Sequence, residues 1–101
     1  MTQITQSEKA KKLAADYQQQ KMDFLDNLQP NDFRNGGSFN QADTIIDELN
    51  KATYRAAINK ENPAEFIKKA VTHLFRENSP AATKAINLSN VYLKMKFVDY
   101  G

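Results

Sequence analysis

The sequence predicts an all-α protein that folds as an antiparallel bundle of about four helices. Apolar residues recur at every third or fourth position through most of the chain, which is the spacing of one helix face. Prolines and capping residues divide the chain into four such segments. At the helical rise these segments span roughly 22 to 33 Å, and commensurate lengths favour antiparallel packing.

The bulk composition is that of one ordinary globular domain. The chain has 101 residues, of which 41% are hydrophobic and 26% charged, and its net charge of +2 is too small to identify a nucleic-acid binder. The absence of cysteine excludes disulfides, thiolate catalysis and Cys-ligated metals. The first six residues lack the apolar run of a secretory signal, and no stretch approaches the length of a membrane span. We therefore expect a cytoplasmic protein, and the abundance of Asn, Gln and Lys suggests a bacterial or phage origin.

The first helix is predicted over about residues 7–28, and it ends before Pro30. Its apolar stripe has helical spacing but is interrupted near Gln20 and Lys21. The stripe consists of Ala10, Leu13, Ala14, Tyr17, Phe24, Leu25 and Leu28.

Residues 29–39 form the longest predicted loop. They include a proline and the run Asn35-Gly36-Gly37, which has the most permissive backbone in the chain. The flanking residues do not alternate as hairpin strands would. We expect a surface loop in which Phe33 and Phe39 fold back onto the core.

The second helix is predicted over about residues 40–59. Its acidic residues Asp43, Asp47 and Glu48 come early, which suits the helix dipole, and we interpret them as a solvated first turn. Asp47 and Lys51 have the spacing of a favourable pair on one helix face. The apolar stripe consists of Ala42, Ile45, Ile46, Leu49, Ala52, Thr53, Ala56 and Ala57.

The third helix is predicted over about residues 63–77. Asn62 is a typical N-cap, Pro63 suits the first helical position, and Glu65 places an acid in the first turn. The apolar residues recur in pairs, as Phe66 and Ile67, Ala70 and Val71, and Leu74 and Phe75.

The last segment is predicted as a helix over about residues 80–98, although its pattern also fits a strand. As a helix, it has a broad stripe that includes Ala85, Leu88 and Tyr92. Between Val91 and Val98, apolar residues also alternate as in a strand. We favour a helix for residues 88–98, because a lone strand would lack a pairing partner within the monomer and would require a dimer or a β-augmented partner.

No residue pattern predicts a catalytic, cofactor or metal site. The carboxylates Asp43 and Asp47 lie one turn apart, but a di-iron bundle needs histidine on two helices and the chain has one. That residue, His73, has Glu77 four positions later, and we interpret the two as a surface contact rather than an acid–base pair. Phosphate-binding and nucleophile-elbow motifs are absent from the sequence. We therefore expect a protein that is not an enzyme and uses no cofactor.

The leading functional hypothesis is a small helical binding protein that acts by protein–protein contact. It would be an inhibitor, a regulator or an immunity-type factor. The predicted contact elements are the loop over residues 33–39 and the C-terminal segment over residues 92–100. Aromatic residues are enriched where proteins bind one another. The candidate contact residues are Phe33, Phe39, Tyr92, Lys94, Lys96 and Tyr100.

The alternative hypothesis is a small DNA-binding regulator. The segment from Thr83 to Lys96 loosely resembles a helix-turn-helix, with Asn87 at the turn and Lys94 and Lys96 able to reach DNA. A break in the helix near Asn87 would favour this hypothesis, and an unbroken helix would favour a protein partner. The oligomeric state stays open between monomer and homodimer.

Overall fold

Four α-helices make up most of residues 6–100, as the sequence predicts. The computed structural model describes residues 6–100, with side chains described for residues 8–97. The all-α bundle is confirmed. The helices are α1 (Gln6–Asn27), α2 (Ala42–Ile58), α3 (Pro63–Leu74) and α4 (Pro80–Tyr100).

The connection between α1 and α2 is more ordered than the predicted loop. It contains two short 3-10 helices, Pro30–Asp32 and Gly36–Gln41. The second of these continues directly into α2, which therefore begins at Ala42 and not near residue 40.

Helix α4 is the central element of the bundle, because it contacts α1, α2 and α3. Its antiparallel pairing with α1 brings the ring centroids of Tyr17 and Tyr92 to 5.3 Å. It runs parallel to α2, where the rings of Tyr54 and Phe97 are 5.9 Å apart. Contact on several sides requires apolar residues around most of the helix. This is why the sequence shows a stripe too broad to distinguish a helix from a strand.

A buried polar network joins three of the helices. The Asn50 side chain on α2 donates a hydrogen bond from Nδ2 to the Tyr17 hydroxyl on α1 at 2.6 Å. It accepts one at Oδ1 from the Ser89 hydroxyl on α4 at 2.8 Å. Burial raises the pKa of the Tyr17 phenol, so the side chain stays neutral. Because every member has a partner, the network fixes the relative positions of the three helices.

A salt bridge connects the break in the α1 stripe to the start of α2. Lys21 Nζ lies 2.8 Å from a carboxylate oxygen of Asp43 and 2.8 Å from one of Asp47. Partial burial lowers the pKa of Lys21, but the two carboxylates outweigh that effect and the net pKa is raised. The predicted pairing of Asp47 with Lys51 is therefore wrong, since Lys21 on another helix takes its place.

Two phenylalanines tie the connection between α1 and α2 to the end of α3. The rings of Phe33 and Phe75 stack with centroids 4.8 Å apart, and both side chains are 0% exposed. Backbone hydrogen bonds flank the pair, from Arg34 N–H to the Leu74 carbonyl at 3.0 Å and from Arg76 N–H to the Asp32 carbonyl at 2.9 Å. We call this unit the phenylalanine clamp.

The clamp also ends α3. Phe75 has extended backbone angles, φ −113° and ψ 155°, so that its backbone can pair with Phe33. The predicted continuation of this helix to residue 77 is therefore wrong. Asp32 extends the clamp to α4, because its carboxylate accepts a hydrogen bond from the Ser79 hydroxyl at 2.9 Å. The Ser79 hydroxyl oxygen in turn accepts from Ala81 N–H at 3.1 Å, at the start of α4.

The end of α2 requires a left-handed residue. Lys60 has φ 62°, and its N–H donates to the Ala57 carbonyl at 3.1 Å. The next residue, Glu61, donates its N–H to the Ala56 carbonyl at 3.0 Å. These two bonds form a Schellman motif, in which glycine is the usual left-handed residue.

Replacing Phe75 should be among the most damaging single changes. We expect Phe75→Ala to lower the free energy of unfolding by about 3–5 kcal/mol, because it leaves a cavity and removes the stacking partner of Phe33. Phe97→Ala is the matched control: its side chain is 47% exposed, and the loss should be about 1 kcal/mol or less. Urea unfolding of the wild type, Phe75→Ala and Phe97→Ala measures both losses of free energy. Equal losses in the two variants would contradict the central role of the clamp.

Replacing Lys60 by glycine should stabilise the protein. A left-handed conformation costs a residue with a Cβ about 1–2 kcal/mol, while glycine adds about 0.4–1 kcal/mol of entropy to the unfolded chain. We expect a net gain of about 0.5–1 kcal/mol in Lys60→Gly. Lys68→Gly, at an exposed position inside α3, should instead cost about 1 kcal/mol. Chemical denaturation measures the change in the free energy of unfolding for each variant. A loss of stability in both variants would refute the claim that the left-handed backbone of Lys60 carries a conformational cost.

Candidate binding surface

An open apolar groove lies between α2 and α3. Its volume is about 370 Å³, and it opens to the protein surface. Three polar residues complete its lining: Thr44, Glu48 and His73. The apolar lining consists of Ile45, Leu49 and Ala52 from α2 and Phe66, Ala70 and Leu74 from α3.

The groove exists because α3 carries two neighbouring apolar ridges. Ile67 and Val71 form the inner ridge and are buried in the core. Phe66, Ala70 and Leu74 form the outer ridge, and each of these side chains is half-buried. A single core cannot cover both ridges, since adjacent residues on a helix point about 100° apart.

The side of α2 that faces α3 also has an inner, buried position next to an outer, half-buried one. Ile46 is buried in the core, whereas its neighbour Ile45 is half-buried and lines the groove. Ala52 and Ala70 lie on the two walls, and neither has side-chain atoms beyond Cβ. Because these two side chains are small, they leave space between α2 and α3. The larger lining residues surround that space.

His73 borders this groove, and the predicted surface contact between His73 and Glu77 is wrong, because no hydrogen bond or ion pair joins them. Helix α3 ends at Leu74, so the two residues do not share a helix face. The Glu77 carboxylate lies 3.9 Å from the Arg34 guanidinium instead. Among the described residues, no group of three or more His, Asp or Glu side chains converges to hold a metal ion.

The predicted contact residues do not form one surface. The prediction that Phe33 contacts a partner is wrong, because its side chain is fully buried in the clamp. The expectation that both loop phenylalanines fold back onto the core is correct, since Phe39 is half-buried against it. Lys94 is exposed, and the side chain of Tyr100 lies outside the described part of the structure.

Tyr92 and Lys96 contact each other on α4, whereas Lys94 lies on a different face of the same helix. Lys96 Nζ lies 5.6 Å from the centre of the half-buried Tyr92 ring. Lys94 and Lys96 are two residues apart, so their side chains leave the helix about 200° apart. The two lysines therefore cannot reach the same stretch of DNA from one helix face.

The helix-turn-helix interpretation is wrong for the same segment. It requires a turn at Asn87, but α4 continues without a break from Pro80 to Tyr100. Asn87 is an exposed helical residue beside α1. The segment from Thr83 to Lys96 is therefore part of a single helix and contains no helix-turn-helix.

A second groove, between α1 and α4, has a different character. Its volume is about 200 Å³, and it is lined by the apolar residues Phe24 and Leu88 together with polar residues that include Gln20, Asn27 and Lys84. Two of these already bond within α1, as Gln20 donates to Asp16 at 3.2 Å and Asn27 donates to the Asp23 carbonyl at 2.8 Å. The apolar groove between α2 and α3 is therefore the stronger candidate for binding.

Sequence reasoning missed the α2–α3 groove because its residues were assigned to the core. The signal was nevertheless present, since the pairs Phe66-Ile67 and Ala70-Val71 make a stripe two residues wide. One ridge of such a stripe suffices for the core of a small bundle, and the other lines the groove at the surface.

Comparisons with known proteins add no assignment to this geometry. The chain matches no protein family, no curated protein and no solved structure. None of the helices in residues 6–100 combines the length and apolar character that crossing a bilayer requires.

Filling the groove should leave the fold intact. We expect Ala70→Leu to change the free energy of unfolding by less than about 1 kcal/mol, because the added atoms enter open space. Ala85→Leu is the matched control on α4: Ala85 is 1% exposed, and overpacking there should cost about 1–3 kcal/mol. Thermal and denaturant unfolding measure both, and a large loss in Ala70→Leu would show that the groove is closed in solution.

Proposed function

We propose that this protein is a non-enzymatic helical binding protein that holds an amphipathic helix of a protein partner in the α2–α3 groove. The observation that carries this proposal is the pair of apolar ridges, one on α2 and one on α3, whose side chains are partly exposed along an open groove. Apolar surface of this kind gains free energy when a partner removes it from water. The protein would act as an inhibitor, a regulator or an immunity-type factor.

A helix is the occupant that fits the groove walls. Both walls are helix ridges, and a third helix can pack its own ridge between them. Ala52 and Ala70 allow its backbone to approach closely. The lining extends from Ile45 to Ala52 and from Phe66 to Leu74, which is about two helical turns. We expect the partner to insert two or three apolar side chains at positions i, i+3 or i+4, and i+7.

Charges beside the groove would orient the partner. Glu48 borders it on the α2 side, and Lys69 lies next to Phe66 on the α3 side. A partner helix with a basic residue on one flank and an acidic residue on the other would complement both. Such rim charges set direction and specificity more than affinity.

A charge placed in the groove should abolish binding. We expect Ala70→Glu to fold normally, because its carboxylate can reach solvent through the open groove, and to bind a partner at least about tenfold more weakly, because a helix docked there would bury the charge. Lys94→Glu, on the exposed side of α4, is the control for a change in surface charge. The wild type, Ala70→Glu and Lys94→Glu are each used as bait in extracts of the source organism, and the proteins that they capture are compared by mass spectrometry.

The proposal requires a protein that wild type and Lys94→Glu retain and Ala70→Glu loses. A partner retained equally by all three would move the binding site away from the groove, and the absence of any retained protein would remove support for a protein partner. Salt-dependent binding to duplex DNA that Ala70→Glu preserves and Lys94→Glu weakens would favour the DNA-binding alternative instead.

A further inference from the structure

The exposed turn between the two 3-10 helices contains the dipeptide Asn35-Gly36. Both residues are exposed. The Asn35 side-chain oxygen Oδ1 accepts a hydrogen bond from Gly37 N–H at 3.1 Å. A Cβ placed on Gly36 would approach only the Pro30 carbonyl oxygen, at 3.9 Å, so the space around this peptide group is open.

We propose that Asn35 is a site of spontaneous deamidation, and that the folded connection suppresses the reaction until it opens. In this reaction the Gly36 backbone nitrogen gives its proton to a base and forms a bond to Asn35 Cγ. The bond between Cγ and the side-chain nitrogen breaks, and ammonia leaves, which produces a succinimide. Water then adds to one of the two ring carbonyls and opens the ring, leaving aspartate or isoaspartate at position 35. Gly36 favours this ring closure because it has no side chain to obstruct it.

The observed backbone geometry is not the reactive one. Ring closure requires Asn35 Cβ and Gly36 N to lie on the same side of the Cα–C bond. For an L residue this corresponds to ψ of about −120°, as at the first central residue of a type II′ turn. Asn35 has ψ 107°, and its bond to Gly37 holds the side chain in place.

The neighbouring residues resist the rotation that the reaction needs. On one side, Arg34 is anchored to α3 by its backbone N–H, which donates to Leu74, and by its Nε, which donates to the Thr72 carbonyl. On the other side, the 3-10 helix from Gly36 to Gln41 leads directly into α2. A large change of ψ at Asn35 therefore requires local opening of at least one of these anchors, and such openings cost free energy.

The two products should affect the fold differently. An aspartate at position 35 keeps an oxygen that can accept from Gly37 N–H. Isoaspartate lengthens the main chain by one methylene between the anchored Arg34 and the 3-10 helix, so the two anchors can no longer keep their spacing. We expect the isoaspartyl form to loosen the connection that holds Phe39 against the core.

The experiment compares deamidation of the folded and the unfolded chain. Protein is incubated at mildly alkaline pH with and without denaturant, and peptide mass spectrometry follows ammonia loss and acid formation at each asparagine. We expect Asn35 to react faster than the other asparagines in the unfolded chain. In the folded chain it should react at least about tenfold more slowly, the factor that a modest local opening free energy gives.

Two variants separate the chemistry from the opening step. Gly36→Ala should slow the reaction with and without denaturant, and the open space at Gly36 lets this variant fold. Arg34→Ala removes one anchoring bond and should accelerate the reaction of the folded chain alone, by about two- to tenfold. Hydrogen exchange of the backbone amides at positions 34 and 76 reports opening of the clamp independently. In Arg34→Ala the rate of this exchange should rise together with the rate of deamidation.

Several results would overturn the proposal. If Asn35 is no more reactive than other asparagines in the unfolded chain, it is not a deamidation site. If folded and unfolded chains react at equal rates, the fold does not suppress the reaction. If Arg34→Ala accelerates exchange at the clamp and leaves the reaction of the folded chain unchanged, opening of the clamp is not the controlling step.

Discussion

The stacking of Phe33 on Phe75 is the contact on which the rest of this structure depends. It joins two segments that are 42 positions apart in sequence, and it buries two large rings completely. The rings of Phe24 on α1 and Phe75 form a T-shaped pair with centroids 6.0 Å apart, so three parts of the chain meet there. Ordering this long connection costs conformational entropy, which the burial of aromatic surface offsets.

The clamp has a consequence for the surface as well as for the core. Because Phe75 leaves the helix to pair with Phe33, α3 ends at Leu74 with its inner ridge fixed against the core. The outer ridge must then face away from α4, beside the half-buried side of α2. The α2–α3 groove therefore follows from the same contact that orders the connection between α1 and α2.

Polar interactions in the interior select the arrangement of helices more than they add stability. Tyr17, Asn50 and Ser89 satisfy one another only when α1, α2 and α4 have their observed positions. Lys21 replaces an apolar residue in the α1 stripe because two carboxylates at the start of α2 face it. An apolar bundle of the same size could slide by one turn, whereas a slide here would leave buried polar groups without partners.

The sequence by itself determined the helices, since capping and periodicity are local. Asn62 caps α3 as predicted, with its Oδ1 accepting from Glu65 N–H, and the apolar pairs of α3 can be read directly from the order of its residues. The end of α3, the stacking of Phe33 on Phe75 and the pairing of Lys21 were not predictable in this way, because each depends on residues more than twenty positions away. The same is true of the groove. The sequence shows that both ridges of α3 are apolar, but only the packing of Phe75 and α4 decides which ridge is buried in the core and which lines the groove.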